Sequence, residues 1–265
     1  MNDPLSQHST GPAWPAWVAR LMLVAGLGVG GVALASALGI WIGLWDFRTA
    51  FALLRPAHGF ATWIAGIGAI LTIGLAVFWR LRGLPNGARL TAMAAVGTVA
   101  AGLAYYIPAS YGPPEGVTYP PIHDVSTDTV NPPQYVAVLP LRADAPNSVV
   151  YGEARNTTPE TLAAMQTEAY PDLVPRVINE PPDVVFQRAL AAVDEMGWEL
   201  VAAVPEEGRI EATATTFWFR FKDDVVIRIT PTAEGAVVDA RSLSRVGLGD
   251  VGTNAKRLRA FFAKL

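Results

Sequence analysis

Two groups of residues in this 265-residue chain have the types and spacing to do chemistry. The first is His123, Asp124 and Asp128, inside the run Ile122-His-Asp-Val-Ser-Thr-Asp-Thr129. An imidazole beside two carboxylates could serve as an acid–base pair in hydrolysis, or as part of a site for a hard metal ion. The same run also reads as a turn, because Asp, Ser and Thr side chains hydrogen-bond to neighbouring backbone. A metal site would need more ligands. The other histidines, His8 and His58, lie in the N-terminal tail and beside an apolar segment. The second group is Arg228, Asp239, Arg241, Ser242, Ser244 and Arg245. A guanidinium presents a planar fork of donors suited to carboxylate or phosphate, so these residues could form a patch for an anionic small ligand or an envelope protein. The alternative is that Arg228 with Asp239, and Arg245 with Asp223 or Asp224, only solvate a sheet edge.

Composition removes several classes of function. The chain has no cysteine, which excludes thiol nucleophiles, disulfides and thiolate-bound metals. The Gly-x-Ser-x-Gly, His-Glu-x-x-His and phosphate-loop patterns are missing. A net charge of -3 supplies no bulk field for nucleic acid. No cofactor is called for. What remains is a binding or envelope accessory module of unknown activity. The alternatives are a hydrolase or metal-dependent enzyme using His123 with Asp124 or Asp128, and a structural or assembly protein that docks partners through its soluble part.

The elements that must position these residues are strands. From Gly208 to Arg245 three runs of β-branched, aromatic and alternating residues are split by Lys222-Asp-Asp224 and by Pro231 to Gly235, as in an antiparallel meander. Trp198–Val204 is expected as the first strand, Arg209–Phe221 as the second, and Lys222-Asp223-Asp224 as the turn before the third. For the last hairpin, the register that sets Arg228 opposite Asp239 gathers Ile227, Ile229, Val238 and Ala240 on the core side and keeps Asp239 and Arg241 out of it. A helix opening at Pro182 presents Val185, Phe186, Ala189, Leu190 and Val193 as one stripe and stops at Gly197. A last helix, capped by Thr253 or Asn254, carries Ala255, Leu258, Phe262 and Leu265 inward, with Lys256, Arg257, Arg259 and Lys264 outside. The fold class predicted is an α+β domain, a four-stranded antiparallel meander with two helices on one face, attached to a membrane α-helical part of three spans.

That membrane part accounts for a hydrophobic content of 51%. Residues 1–16 read as a disordered tail and 17–107 as three spans: Leu21–Leu44, Phe60–Trp79 and Leu90–Ile107. Ala35-Ser36-Ala37 mimics a signal-peptidase site, but the apolar run continues past it and the span is read as retained. Asp46 to Arg55 is expected to lie flat in the headgroup region. Gly26-x-x-x-Gly30 is expected to pack among the chain's own spans. Arg20, Arg80, Arg82 and Arg89 outnumber Arg48 and Arg55 on the other side. This predicts a cytoplasmic N-terminus and a periplasmic C-terminal domain, in a multi-pass protein of a bacterial inner membrane whose partner is the lipid bilayer. Residues 108–180 form a Pro-rich connector. Fourteen of the 21 prolines fall from Pro108 to Pro182, which forbids long helices and favours ordered coil wrapping the 181–265 core. One edge strand is expected at Tyr135–Leu139, and a short helix from Thr158-Pro-Glu160 to Ala169.

Five separated motifs occur in order: Ile122-His-Asp-Val-Ser-Thr-Asp128, Ala169-Tyr-Pro171, Gly208-Arg-Ile-Glu-Ala212, Asp223-Asp-Val-Val-Ile-Arg-Ile229, and Asp239-x-Arg-Ser-x-Ser-Arg-Val-Gly247 followed by Asn254-Ala255. In these the chain resembles the bacterial family known as domain of unknown function 1499, over about Pro120 to Leu265. The resemblance implies a domain but no activity. Gly249 departs from the Ser that usually precedes the Asp near this position.

Overall fold

A computed structural model describes residues 12–83, 86–154 and 157–265. The chain divides into two compact units, one running to Gly112 and one from Pro113 to Leu265. Most of the tail expected at 1–16 lies outside the described residues, but its last part is already helical.

The first unit is three helices, α1 (Trp14–Trp41), α2 (Phe47–Arg82) and α3 (Gly87–Ala109), each long and apolar enough to cross a membrane. Only 22%, 17% and 22% of their most apolar windows are buried, so Leu21, Val24, Trp63, Ile70 and Ile73 point outward, as side chains solvated by lipid do. Small residues let the backbones approach. A Cβ on Gly26 would fall 1.9 Å from the Gly97 carbonyl oxygen, and one on Gly30 would touch Ala100. The small-residue motif on α1 therefore faces α3 of the same chain. Thr72 and Thr98 share a hydrogen bond of 3.2 Å between α2 and α3. The segment expected to lie flat at Asp46–Arg55 is instead continuous with the second span. Asp46 accepts from the Thr49 N–H at 2.9 Å and starts the helix there, and Pro56 is accommodated inside it.

The second unit is a six-stranded antiparallel sheet rather than a four-stranded one. The order is β1-β6-β5-β4-β3, from β1 (Asp124–Ser126), β3 (Glu199–Val204), β4 (Arg209–Thr215), β5 (Lys222–Thr232) and β6 (Gly235–Ser244), with β2 (Arg176–Ile178) also on β6. The two added strands come from the Pro-rich segment, which pairs with the outer edge of β6 in short pieces between prolines. The helices α4 (Pro159–Ala169), α5 (Pro182–Glu195) and α6 (Thr253–Phe262) complete the unit. Thr158 accepts from the Thr161 N–H at the start of α4, with Pro159 in its first turn. Gly197, at φ +65°, follows α5.

Several local expectations need correction. The second strand stops at Thr215. Thr216 to Phe221 form the hairpin tip, closed by Thr216 N–H to the Phe221 carbonyl at 2.8 Å, and Lys222-Asp223-Asp224 are strand rather than turn. Tyr135–Leu139 is coil leading into a 3₁₀ turn at Leu139–Arg142, because its N–H groups are bound by a side chain described below. Neither Thr253 nor Asn254 caps α6. The N-cap is Gly252, and Asp250 two residues before it accepts from the Gly252 and Asn254 N–H groups at 2.9 and 2.8 Å. Arg257 is turned inward rather than outside.

The last hairpin has Arg228 opposite Asp239, with Thr232 and Gly235 closing a two-residue loop. Ile210, Ala212, Val225, Ile227, Ile229, Val238 and Ala240 therefore share one face, in a single core with Val185, Phe186 and Ala189 of α5 and Leu258, Phe261 and Phe262 of α6. The face that carries Glu211, Asp224, Asp239 and Arg241 is equally buried. The Pro-rich segment lies over it, with Tyr135 and Val138 packed on Val226 and Leu243.

Candidate functional site

Strand alternation divides the arginine-rich candidates between two faces. Asp239, Arg241 and Arg245, with Arg228 of β5, lie under the Pro-rich segment. Ser242 and Ser244 point the other way, beneath α6. The six residues expected as one patch are thus two separate clusters.

Arg241 is the centre of the first. It is fully buried, and its Nε and Nη2 donate to Oδ1 and Oδ2 of Asp124 at 2.9 and 2.8 Å. Its remaining donors reach the Val149 carbonyl at 2.7 Å and the Pro133 carbonyl at 3.3 Å. The guanidinium sits 5.0 and 5.4 Å from the ring centroids of Tyr135 and Tyr151. Burial disfavours the Arg241 charge, but the Asp124 carboxylate outweighs it and raises the pKa above the ordinary arginine value. Burial likewise pushes the Tyr135 and Tyr151 hydroxyls up, so both rings stay neutral.

Beside this pair, Asp224 is fully buried and takes four bonds: Arg142 at 2.6 Å, Nε and Nη2 of Arg245 at 2.9 and 2.8 Å, and the Thr213 hydroxyl at 2.7 Å. Burial alone would raise its pKa. Hydrogen bonds from Arg245, Thr213 and Arg142 reverse that and hold it below the ordinary carboxylate value. Arg228 bridges Asp128 and Asp239, each at 2.9 Å. Under α6, Arg257 meets Asp223 at 2.5 Å and Ser242 at 3.1 Å. Asn254 accepts from the Ser242 hydroxyl and donates to the Ser244 oxygen and the His123 carbonyl.

The trio His123, Asp124 and Asp128 is also split. Asp128 turns to Arg228 and to the Val130 and Asn131 N–H groups, the Asx-type turn that its sequence allowed. Asp124 is taken by Arg241. The His123 ring is buried, with Nδ1 3.4 Å from the Leu248 carbonyl, and its backbone carbonyl accepts from the Ser244 N–H. His123 and Asp124 line a small cleft with Ser148, Glu153, Thr157 and Leu162, in which Ser148 donates to Glu153 at 2.6 Å. The cleft offers about 10 Å³ of space, on the order of one water. Among the described residues no three His, Asp or Glu side chains converge as a metal ion would require.

Sequence reasoning missed two residues that hold the wrap in place. Glu211, fully buried on β4, accepts the consecutive N–H groups of Val136, Ala137 and Val138 at 2.9–3.1 Å and also pairs with Arg209. A carboxylate cradled by three successive amides explains why Tyr135–Leu139 forms no strand. The Gln166 side chain of α4 clamps Ser126 by accepting its N–H and donating to its carbonyl. The available signal was Glu211 itself, a carboxylate between Ile210 and Ala212 in a run of strand residues.

A family model described as "Protein of unknown function (DUF1499)" matches residues 124–265, more than half of the chain. No curated protein and no solved structure matches it.

Proposed function

The chain belongs to that family, and we propose that it is a membrane-anchored accessory module of the bacterial cell envelope. In this reading three helices cross the inner membrane from a cytoplasmic N-terminus, and the DUF1499 domain stands in the periplasm, where it docks an envelope partner. Orientation is supported by Arg20, Arg80, Arg82 and Arg89 on one side of the spans against Arg48 and Arg55 on the other.

The observation that carries the functional part is that the charged side chains beneath the Pro-rich wrap are paired with one another. Arg241, Asp124, Asp224, Arg245, Arg142 and Glu211 are all paired inside the domain. They rivet the Pro-rich segment to the sheet and make the domain a stiff body, which acts through its outer surface.

The test has two parts. Alkaline phosphatase fused after Leu265 should be active in cells and a green fluorescent protein fusion dark; the opposite pattern overturns the orientation. The full chain in detergent should show no thermal shift with phosphate, divalent metal ions or envelope glycans. A shift that disappears in His123→Ala would move the function to the His123 cleft and overturn the docking reading.

A further inference from the structure

The sheet closes one of its edges and leaves the other open. On one side, β1 and β2 cover the outer edge of β6. On the other, β3 ends the strand order and pairs only with β4. Among the described residues no other backbone segment bonds to its free side. Such an edge is a row of unpaired N–H and C=O groups, which proteins blunt with Lys, Pro or a covering element. Glu199-Leu-Val-Ala-Ala-Val204 contains neither Lys nor Pro. Its bulge sits at Val201, where the pairing passes from Leu200 opposite Ala212 to Ala202 opposite Glu211, and Ala202 to Val204 continue in regular register.

The residues on this edge set what it can hold. Leu200 is 51% exposed and shares the helix-side face with Ala203, which is also exposed. Val201 packs on the cluster of Tyr135, Val138, Val226 and Leu243 on the other face. The middle of the strand is therefore apolar on both faces, and its ends are acidic. Glu195 and Glu199 are exposed where the chain enters β3, and Glu206 and Glu207 where it leaves. Lys264, Lys222 and Arg209 pair with Glu195, Glu199 and Glu207. Among the described residues that leaves Glu206, and Asp194 beside Glu195, with no cation in a salt bridge. A second copy of this strand would bring Glu199 toward Glu206 if antiparallel, or against Glu199 if parallel, and like charges across a strand pair repel. The charge selects a basic occupant over a second copy.

From the open edge and its charge we infer that β3 receives an extended segment of an envelope protein as an added strand, its apolar middle against Leu200 and Val201 and its Lys or Arg ends against Glu199 and Glu206. Main-chain hydrogen bonds supply the affinity and alternating side chains the selectivity. This gives the docking reading above a surface and a partner chemistry and rests on that reading, but the two fail differently. A small-ligand shift lost in His123→Ala strikes the docking reading, whereas the peptide experiment below strikes the β3 edge alone.

The probe is a fluorescein-labelled synthetic peptide of alternating valine and threonine with two lysines at each end. It is added to the full chain in detergent and followed by fluorescence anisotropy and hydrogen–deuterium exchange. Bound peptide should slow exchange in β3 by about tenfold and leave β1 and β2 as they were. Affinity should fall as salt is raised, and a peptide ending in glutamates should not bind. N-methylating every amide of the peptide core removes its main-chain donors and should abolish binding, with the protein itself unaltered. Glu199→Lys with Glu206→Lys, both at exposed positions, should weaken the lysine peptide by about tenfold and let the glutamate peptide bind. A lysine peptide that does not bind, that still binds when N-methylated, or that protects a surface other than β3 overturns the inference. So does protection of β3 that grows with protein concentration in the absence of peptide, which would put a second copy on the edge.

Discussion

Replacing Asp124 by alanine removes the one carboxylate, among the described residues, bonded to the Arg241 guanidinium, which has no exposed surface. Arg241 keeps the Val149 and Pro133 carbonyls and its two tyrosine rings, which are neutral partners. Removing one member of a buried ion pair leaves an uncompensated charge and costs about 3–5 kcal/mol. Asp124 lies on β1, paired with β6 and tied to the start of the wrap, so the loss should open this edge of the sheet first. At 1.4 kcal/mol per tenfold, amide exchange in β1 and β6 should accelerate by about a hundredfold to several thousandfold. Hydrogen–deuterium exchange with mass spectrometry on the full chain in nanodiscs reads this directly, with α1–α3 as an internal control that should not change. A companion variant, Asp124→Leu with Arg241→Met, removes both charges and should lose much less than Asp124→Ala alone. If Asp124→Ala leaves β6 exchange near wild type, or the double variant is the worse of the two, the pair is not a stabilising rivet and the account of this face is wrong.

Two further outcomes follow from other parts of the molecule. Asp224 is held below its ordinary carboxylate value of 3.8, so its contribution is complete above that pH and is lost as pH falls through the lower folded value. Acid melting of the full chain should therefore steepen below about pH 4, and Asp224→Asn should be less stable at neutral pH but flatter across that window. An unchanged acid slope in Asp224→Asn would contradict this. In the membrane unit, Gly26→Leu places a side chain where even a Cβ would lie 1.9 Å from the Gly97 carbonyl oxygen. It should push α1 from α3 and lower the melting temperature in detergent, whereas Gly28→Leu, at a position with open space, should not.

Much of the architecture was legible in the residues, and the reason is periodicity. Uncharged runs near twenty residues announce bilayer helices whatever surrounds them. Alternation through Ile227, Ile229, Val238 and Ala240 selected the register that sets Arg228 against Asp239, because a slip by one residue would invert a face. Thr158-Pro159 marked the start of α4 for a local reason, an orphan N–H and a fixed φ. Alternation fails where its two classes stop meaning buried and wet. It correctly placed Asp239 and Arg241 opposite the helices, but it carries no information about what covers that side. The cover is supplied by partners 73 to 117 residues away: Asp128 for Arg228, Asp124 for Arg241, and the Val136–Val138 amides for Glu211. Local sequence determined the three long apolar helices, the strand register and the helix stripes. Only the tertiary structure decided that the charged face is an interior, because a buried charge is tolerated when its counter-charge arrives, and that arrival depends on the path of the whole Pro-rich segment.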